Sequence, residues 1–195
     1  MSEPFGKQCD IPAIEGVQCD IAFQQPTVLV AGVGNVFLGD DGFGVEVVRR
    51  LSEVDTPDWA RVVDYGIRGM HLAYDLAGAG YELTILVDAT SRGDPPGTVY
   101  VVELNTEPGD DVSPVLDAHG MQPDVVLALV ATLGEDPGRV LLVGCEPARL
   151  DQHMGLSPVV ENAVETAVTV VRDLLAEHAR AARKETPCAS ASPGK

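Results

Sequence analysis

Three side chains able to donate to a metal ion or move a proton stand out by where they fall: Asp41, Asp88 and His119. Asp41 ends the run GVGNVFLGDD, which follows the apolar stretch Val28 to Ala31, and Asp88 ends the apolar stretch Leu83, Ile85, Leu86, Val87. Carboxylates that each follow a buried parallel strand converge on one edge of a sheet, where open α/β folds form their ligand crevice. If the loop carrying His119 folds over those strand ends, the three make a nitrogen-and-oxygen set suited to a borderline divalent transition metal. Three donors leave coordination positions open for other ligands. Each residue also has an ordinary explanation. Asp41 suits a helix N-cap, Asp88 a turn, and His119 a loop hydrogen bond. Convergence is what would turn them into a site.

The elements that must position them alternate. Val28 to Ala31 reads as a buried strand, and Gly32 and Gly34 supply a tight turn at its end. Asp40 and Asp41 then open a helix whose apolar residues Phe43, Val47, Val48 and Leu51 recur at helical spacing. Arg61 to Val63 is a short strand ending in Asp64. Met70 to Ala77 reads as a helix stopped by Gly78 to Gly80, and the third strand ends in Asp88. Thr98 to Leu104 has the β-branched composition of a strand, and Val125 to Leu133 reads as a helix with Pro123 near its first turn. Arg139 to Gly144 is a buried strand. Ser157-Pro158 starts a helix reaching about Ala182, with Val160, Val164, Val168, Val171 and Leu175 on one stripe. This alternation predicts a three-layer α/β/α sandwich on a twisted, largely parallel sheet, with Thr98 to Leu104 a candidate antiparallel member.

The chain has 195 residues, 45% of them hydrophobic, enough for one α/β domain. Residues 1–26 read as an irregular N-terminal arm, residues 27–184 as the domain, and residues 185–195 as a disordered Ser/Pro/Ala tail. A formal charge of −17 opposes binding to nucleic acid or an anionic membrane. The four cysteines form no C-x-x-C pair, and no secretory signal or membrane-length apolar run is seen, so a reducing, cytoplasmic setting is expected.

Competing chemistries fail on spacing. A dinucleotide fingerprint would need its third glycine at position 37, which is Phe37, and two carboxylates at the helix start would repel a pyrophosphate. Neither a G-x-S-x-G elbow nor an H-E-x-x-H motif is present. His71 and His153 are secondary candidates as ligands, and His178 on the last helix is expected to be solvated. In the loop DYGIRG, Asp64 is placed to orient the Gly66-to-Gly69 turn, and Arg68 to bind a carboxylate or carbonyl of a partner or to stay a surface charge.

Taken together, GVGNVFLGDDGFGVEVV, DYGIRGMHL, ILVDAT, AHGMQPDVVLAL and LLVGCEPARLDQHMGLSPVVENAV resemble the nickel-iron hydrogenase maturation endopeptidases across roughly Thr27 to Glu177. The opening pattern GxGNxxxxDDGxG combined with the later Asp and His segments carries the resemblance. It implies a five-stranded sheet and a cytoplasmic endopeptidase, monomeric when free, that removes a C-terminal extension from the precursor of a hydrogenase large subunit after nickel insertion. By similarity, Asp41, Asp88 and His119 are the nickel-binding and catalytic positions, the nickel arriving with the precursor. Asp64, Gly66 and Arg68 lie in the loop that would contact substrate. The family often has Glu where Asp41 stands and Asp-Gly-Gly-Thr where Asp64-Tyr65-Gly66-Ile67 stands. A nickel-delivery protein without peptidase activity is the alternative that the same ligands would serve.

Overall fold

The computed structural model describes residues 26–104, 123–133 and 136–185. The expected arm and tail, like His119, lie outside the described residues apart from Pro26 and Glu185. Five strands form one sheet in the order β2-β1-β3-β5-β4. They are β1 (Val28–Val33), β2 (Ala60–Gly66), β3 (Leu83–Ala89), β4 (Val99–Leu104) and β5 (Arg139–Cys145). The first three and β5 run parallel, and β4 lies antiparallel on the edge against β5.

Alternation along the central strands divides the core in two. Val28, Val30, Ile85, Val87, Leu141 and Val143 face α1 (Phe43–Ser52) and α4 (Pro158–Glu185). Leu29, Ala31, Leu86, Val140 and Leu142 face α2 (Gly69–Ala79) and α3 (Pro123–Thr132). Strands covered on both faces have no use for polar residues, which is why they read as continuous apolar runs. In α1, Phe43, Val47, Val48 and Leu51 are the buried stripe, each large side chain contributing roughly 1.5–3 kcal/mol of burial. Edge strand β4 is only half covered and pairs its Glu103 with Arg139 of β5.

The chain leaves β1 to form β2 on one side and then crosses to form β3 on the other, so β1 and β3 flank the point where the sheet order reverses. Loops following such strands part there and leave a crevice at their carboxyl ends. One local expectation is corrected. The first helix does not begin at the acidic pair; a 3-10 turn, Gly39–Gly42, carries Asp40 and Asp41, and α1 starts at Phe43. The carboxylates are used for longer-range contacts, leaving no side-chain cap at either helix start.

Candidate active site

The approach of α1 to the sheet is set by glycines at contact points where no side chain fits. A Cβ on Gly44 would lie 2.0 Å from the Val87 carbonyl oxygen and 2.3 Å from that of Val33. One on Gly32 would lie 2.4 Å from the Gly44 carbonyl oxygen. The first turn of α1 therefore rests directly on the ends of β1 and β3, bringing the preceding 3-10 turn over the end of β3, where Asp88 stands. At Gly34, φ is +132° and a Cβ would fall 1.8 Å from the Asp41 carbonyl oxygen, so only glycine permits the chain to double back beneath this turn.

The adjacent carboxylates have different work. Asp40 is wholly buried, and its oxygens accept hydrogen bonds from the backbone N–H groups of Ala148 (2.8 Å), Arg149 (3.0 Å) and Ser157 (2.6 Å) and from the Ser157 hydroxyl (2.9 Å). Burial pushes its pKa up, but these bonds outweigh it and hold the carboxyl below its ordinary value. Asp40 thus ties the β1–α1 loop to the β5–α4 loop. Ser157 stands directly before α4, as expected: its carbonyl accepts from the Glu161 N–H at 2.8 Å, and its hydroxyl donates to Asp40.

Asp41 is half-buried and, among the described residues, accepts from the Asn35 N–H at 2.7 Å. Burial raises its pKa more than that bond lowers it. Asp88 is 6% exposed; among the described residues it accepts from the Ala89 backbone N–H and has the Thr90 hydroxyl at 3.5 Å, a long contact. Burial first, then the charge of Asp41, pushes its carboxyl well above the usual range. Two carboxylates that raise each other's energy in a partly dry site make a place where a divalent cation is welcome. Among the described residues no three His, Cys, Asp or Glu side chains gather into a metal-binding group. The third expected donor, His119, lies outside the described residues.

The loop after Asp88 is anchored by residues that sequence reasoning passed over. Glu146, 4% exposed, accepts from the Ser91 hydroxyl (2.7 Å) and the Arg92 (2.6 Å) and Gly93 (3.3 Å) N–H groups, which lower its pKa. Tyr100 donates to the Thr90 carbonyl at 2.7 Å, and the Arg92 guanidinium stacks 4.7 Å from its ring centroid. Gly144 opposes Asp88 on β5, and the Tyr100 ring fills the place its side chain would take. The available signal was that Glu146, like Asp88, follows a buried parallel strand.

Asp64 is exposed at the end of β2, and Gly66 takes φ +50° in the turn that follows. The Gly34 N–H donates to the Gly66 carbonyl, joining this loop to the one leading to Asp41. Arg68 turns back on its own loop, donating to the carbonyls of Tyr65 and Asp64. His71 and His153 are exposed; the latter's backbone pairs with Phe37 and Gly39. His178 departs from the expectation of a solvated residue: its side chain is 19% exposed, its ring packs tilted against Trp59 at 5.9 Å between centroids, and it lies 3.4 Å from Glu82.

In sequence and in fold the chain matches a group of processing peptidases. Residues 45–174 match the hydrogenase maturation protease family model. The chain is 35% identical over 158 residues to the hydrogenase 2 maturation protease of Escherichia coli, covering 77% of this chain and 91% of that protein. It is 34% identical over 158 residues to the hydrogenase expression/formation protein HupD of Rhodobacter capsulatus, covering 80% and 74% respectively. Among solved structures, the hydrogenase maturating endopeptidase HybD of E. coli superimposes with a TM-score of 0.64 at 33% identity, covering 77% of this chain and 93% of that one. The chain belongs to the hydrogenase maturation protease family, and its fold is the fold of those enzymes. It is therefore a peptidase of hydrogenase maturation.

Proposed function

We propose that the protein removes the C-terminal extension of a nickel-iron hydrogenase large-subunit precursor, with nickel already in the precursor as the recognition element. The observation that carries this reading is the pairing of Asp41 with Asp88, two carboxylates at one sheet edge that meet few donors among the described residues: the Asn35 N–H for Asp41, and the Ala89 N–H and the distant Thr90 hydroxyl for Asp88. Such a pair is poorly stabilised when empty and gains when a divalent ion enters. His119 is the third donor in this reading. Membership of the family supports the precursor as substrate, and the paired carboxylates support dependence on its nickel.

In the proposed reaction, Asp41 and Asp88 complete the coordination of the precursor's nickel and so fix where the scissile bond lies relative to the enzyme. A water attacking that bond would lose its proton to one of these carboxylates. Asn35 orients Asp41 through its N–H, and Thr90 lies beside Asp88. Arg68 keeps the Asp64-to-Gly69 loop in shape for contact with the precursor. Action in the cytoplasm as a monomer completes the proposal; no described helix is long and apolar enough to cross a membrane.

The test mixes purified protein with nickel-loaded and nickel-free precursor and follows the released peptide by mass spectrometry. The expected result is cleavage of the nickel-loaded form alone, abolished in Asp41→Asn, Asp88→Asn and His119→Ala proteins that remain folded. Equal cleavage of the two precursor forms would remove nickel from the reading, and undiminished cleavage by all three variants would remove the site.

A further inference from the structure

Beside the acidic turn lies a groove that the reaction above leaves unused. It encloses about 250 Å³, and its walls include Val36, Val45, Met154 and Leu156. Gly39 and Gly42, which bracket Asp40 and Asp41, also line it, so it opens directly alongside the proposed site. Its rim is unusually apolar for open surface: Met154 is 70% exposed, and neighbouring Phe37, whose carbonyl accepts from the His153 N–H, is 62% exposed. The volume is below that of ordinary small-molecule sites and suits one or two side chains of a polypeptide.

The far wall is acidic. Glu46 and Glu161 line the groove, and among the described residues they and Glu53 and Glu165 pair with two guanidinium groups, those of Arg49 and Arg50. The cluster is net acidic, and its Glu46 and Glu161 stand at the groove, each already paired with a guanidinium, while Glu53 and Glu165 lie outside the lining. We propose that this groove docks a segment of the precursor in which an apolar side chain lies close to a Lys or Arg, the apolar group between Val36 and Met154 and the cation toward Glu46 and Glu161. This inference rests on the endopeptidase reading and adds to it how the substrate is held beyond the metal. The charge also argues against two other occupants. Residues 1–25 of this chain hold four acidic residues and one Lys, and a second copy carries the same net charge of −17.

The test uses the full chain labelled with ¹³C at the methionine methyls, of which there are four, with Met154→Leu identifying the Met154 signal. Nickel-loaded precursor should shift or broaden that signal. In kinetics, Met154→Glu and Val36→Asp, both changes at exposed positions, should raise KM for the precursor about tenfold while kcat stays within about twofold. Glu161→Lys should raise KM likewise, and in a Lys/Arg→Glu scan of the precursor one exchange should restore it. Unchanged KM in the variants, with normal cleavage by the unmodified protein, overturns the groove and spares the endopeptidase reading. Precursor that stays uncut yet shifts Met154 supports the groove and overturns that reading; an unmoved signal overturns the groove, and the endopeptidase reading falls with it only where the precursor also stays uncut. A nitroxide on Cys9 or Cys19 that broadens Met154 in the free protein would show the chain's own arm in the groove and overturn the proposal.

Discussion

Asp40 and Asp41 are neighbours in sequence with opposite assignments, and substitution of each by Asn separates them. In Asp40, one oxygen accepts from Ala148, Arg149 and the Ser157 hydroxyl, and the other accepts from the Ser157 N–H at 2.6 Å. An Asn amide keeps only one acceptor oxygen. Placed to satisfy the first three, it turns its NH₂ toward the Ser157 N–H, two donors face to face. A buried N–H left without an acceptor costs roughly 1–3 kcal/mol, and the remaining bonds lose their charge assistance, roughly 1 kcal/mol each, partly offset by no longer burying a charge. The net expectation for Asp40→Asn is about 3 kcal/mol of destabilisation. At roughly 2–4 °C per kcal/mol for a domain of this size, Tm falls by about 6–12 °C.

Asp41→Asn keeps an oxygen for its single backbone donor, Asn35, and removes the charge that raises the energy of Asp88. Its Tm should stay level or rise, within about 1 kcal/mol, while processing of nickel-loaded precursor stops. Thermal unfolding followed by circular dichroism, beside the cleavage assay, reads both quantities on the same preparations. If Asp41→Asn loses as much stability as Asp40→Asn, or if Asp40→Asn melts with the unmodified protein, the division of labour argued from these contacts is wrong.

Further outcomes follow from the same geometry. Gly44→Ala places a methyl 2.0 Å from the Val87 carbonyl oxygen, so α1 must lift from the sheet; a loss of about 3 kcal/mol or more in urea unfolding is expected, with loss of processing. By contrast, Gly78→Ala, in α2 with open space around it, should gain roughly 0.5–1 kcal/mol, and equal effects of the two changes would contradict the contact argument. The lowered pKa of Glu146 means that its contribution to stability is present above the ordinary value of 4.5 and is lost as pH falls through its folded-state value. The Tm gap between unmodified protein and Glu146→Gln should therefore be widest near neutrality and close in acid; a gap that widens as pH falls would reverse the assigned sign.

What could be read before any coordinates follows from what periodicity encodes. The continuous apolar runs at β1, β3 and β5 are legible because strands covered on both faces leave no room for polar residues, and the α1 and α4 stripes are legible because each of those helices buries one face. From strands of this kind the convergence of Asp41 and Asp88 could be argued, since parallel direction alone places strand ends on one side. The division of labour between Asp40 and Asp41 could not. It depends on partners more than a hundred residues away, Ala148, Arg149 and Ser157, and no local pattern records which of two adjacent carboxylates turns inward. Glu146 escaped for the same reason in reverse: its position after a buried strand carried the signal, but its donors in the Ser91-to-Gly93 loop exist only once β3 and β5 pair in register at Asp88 and Gly144. The glycines make the same point. Gly32 and Gly44 read in the sequence as turn and helix residues, whereas their structural demand is mutual contact, which seats the first turn of α1 on the ends of β1 and β3. Carboxylates that bind the fold together and the carboxylates proposed for chemistry thus look alike in one dimension, and the number of donors each one meets among the described residues is what tells them apart.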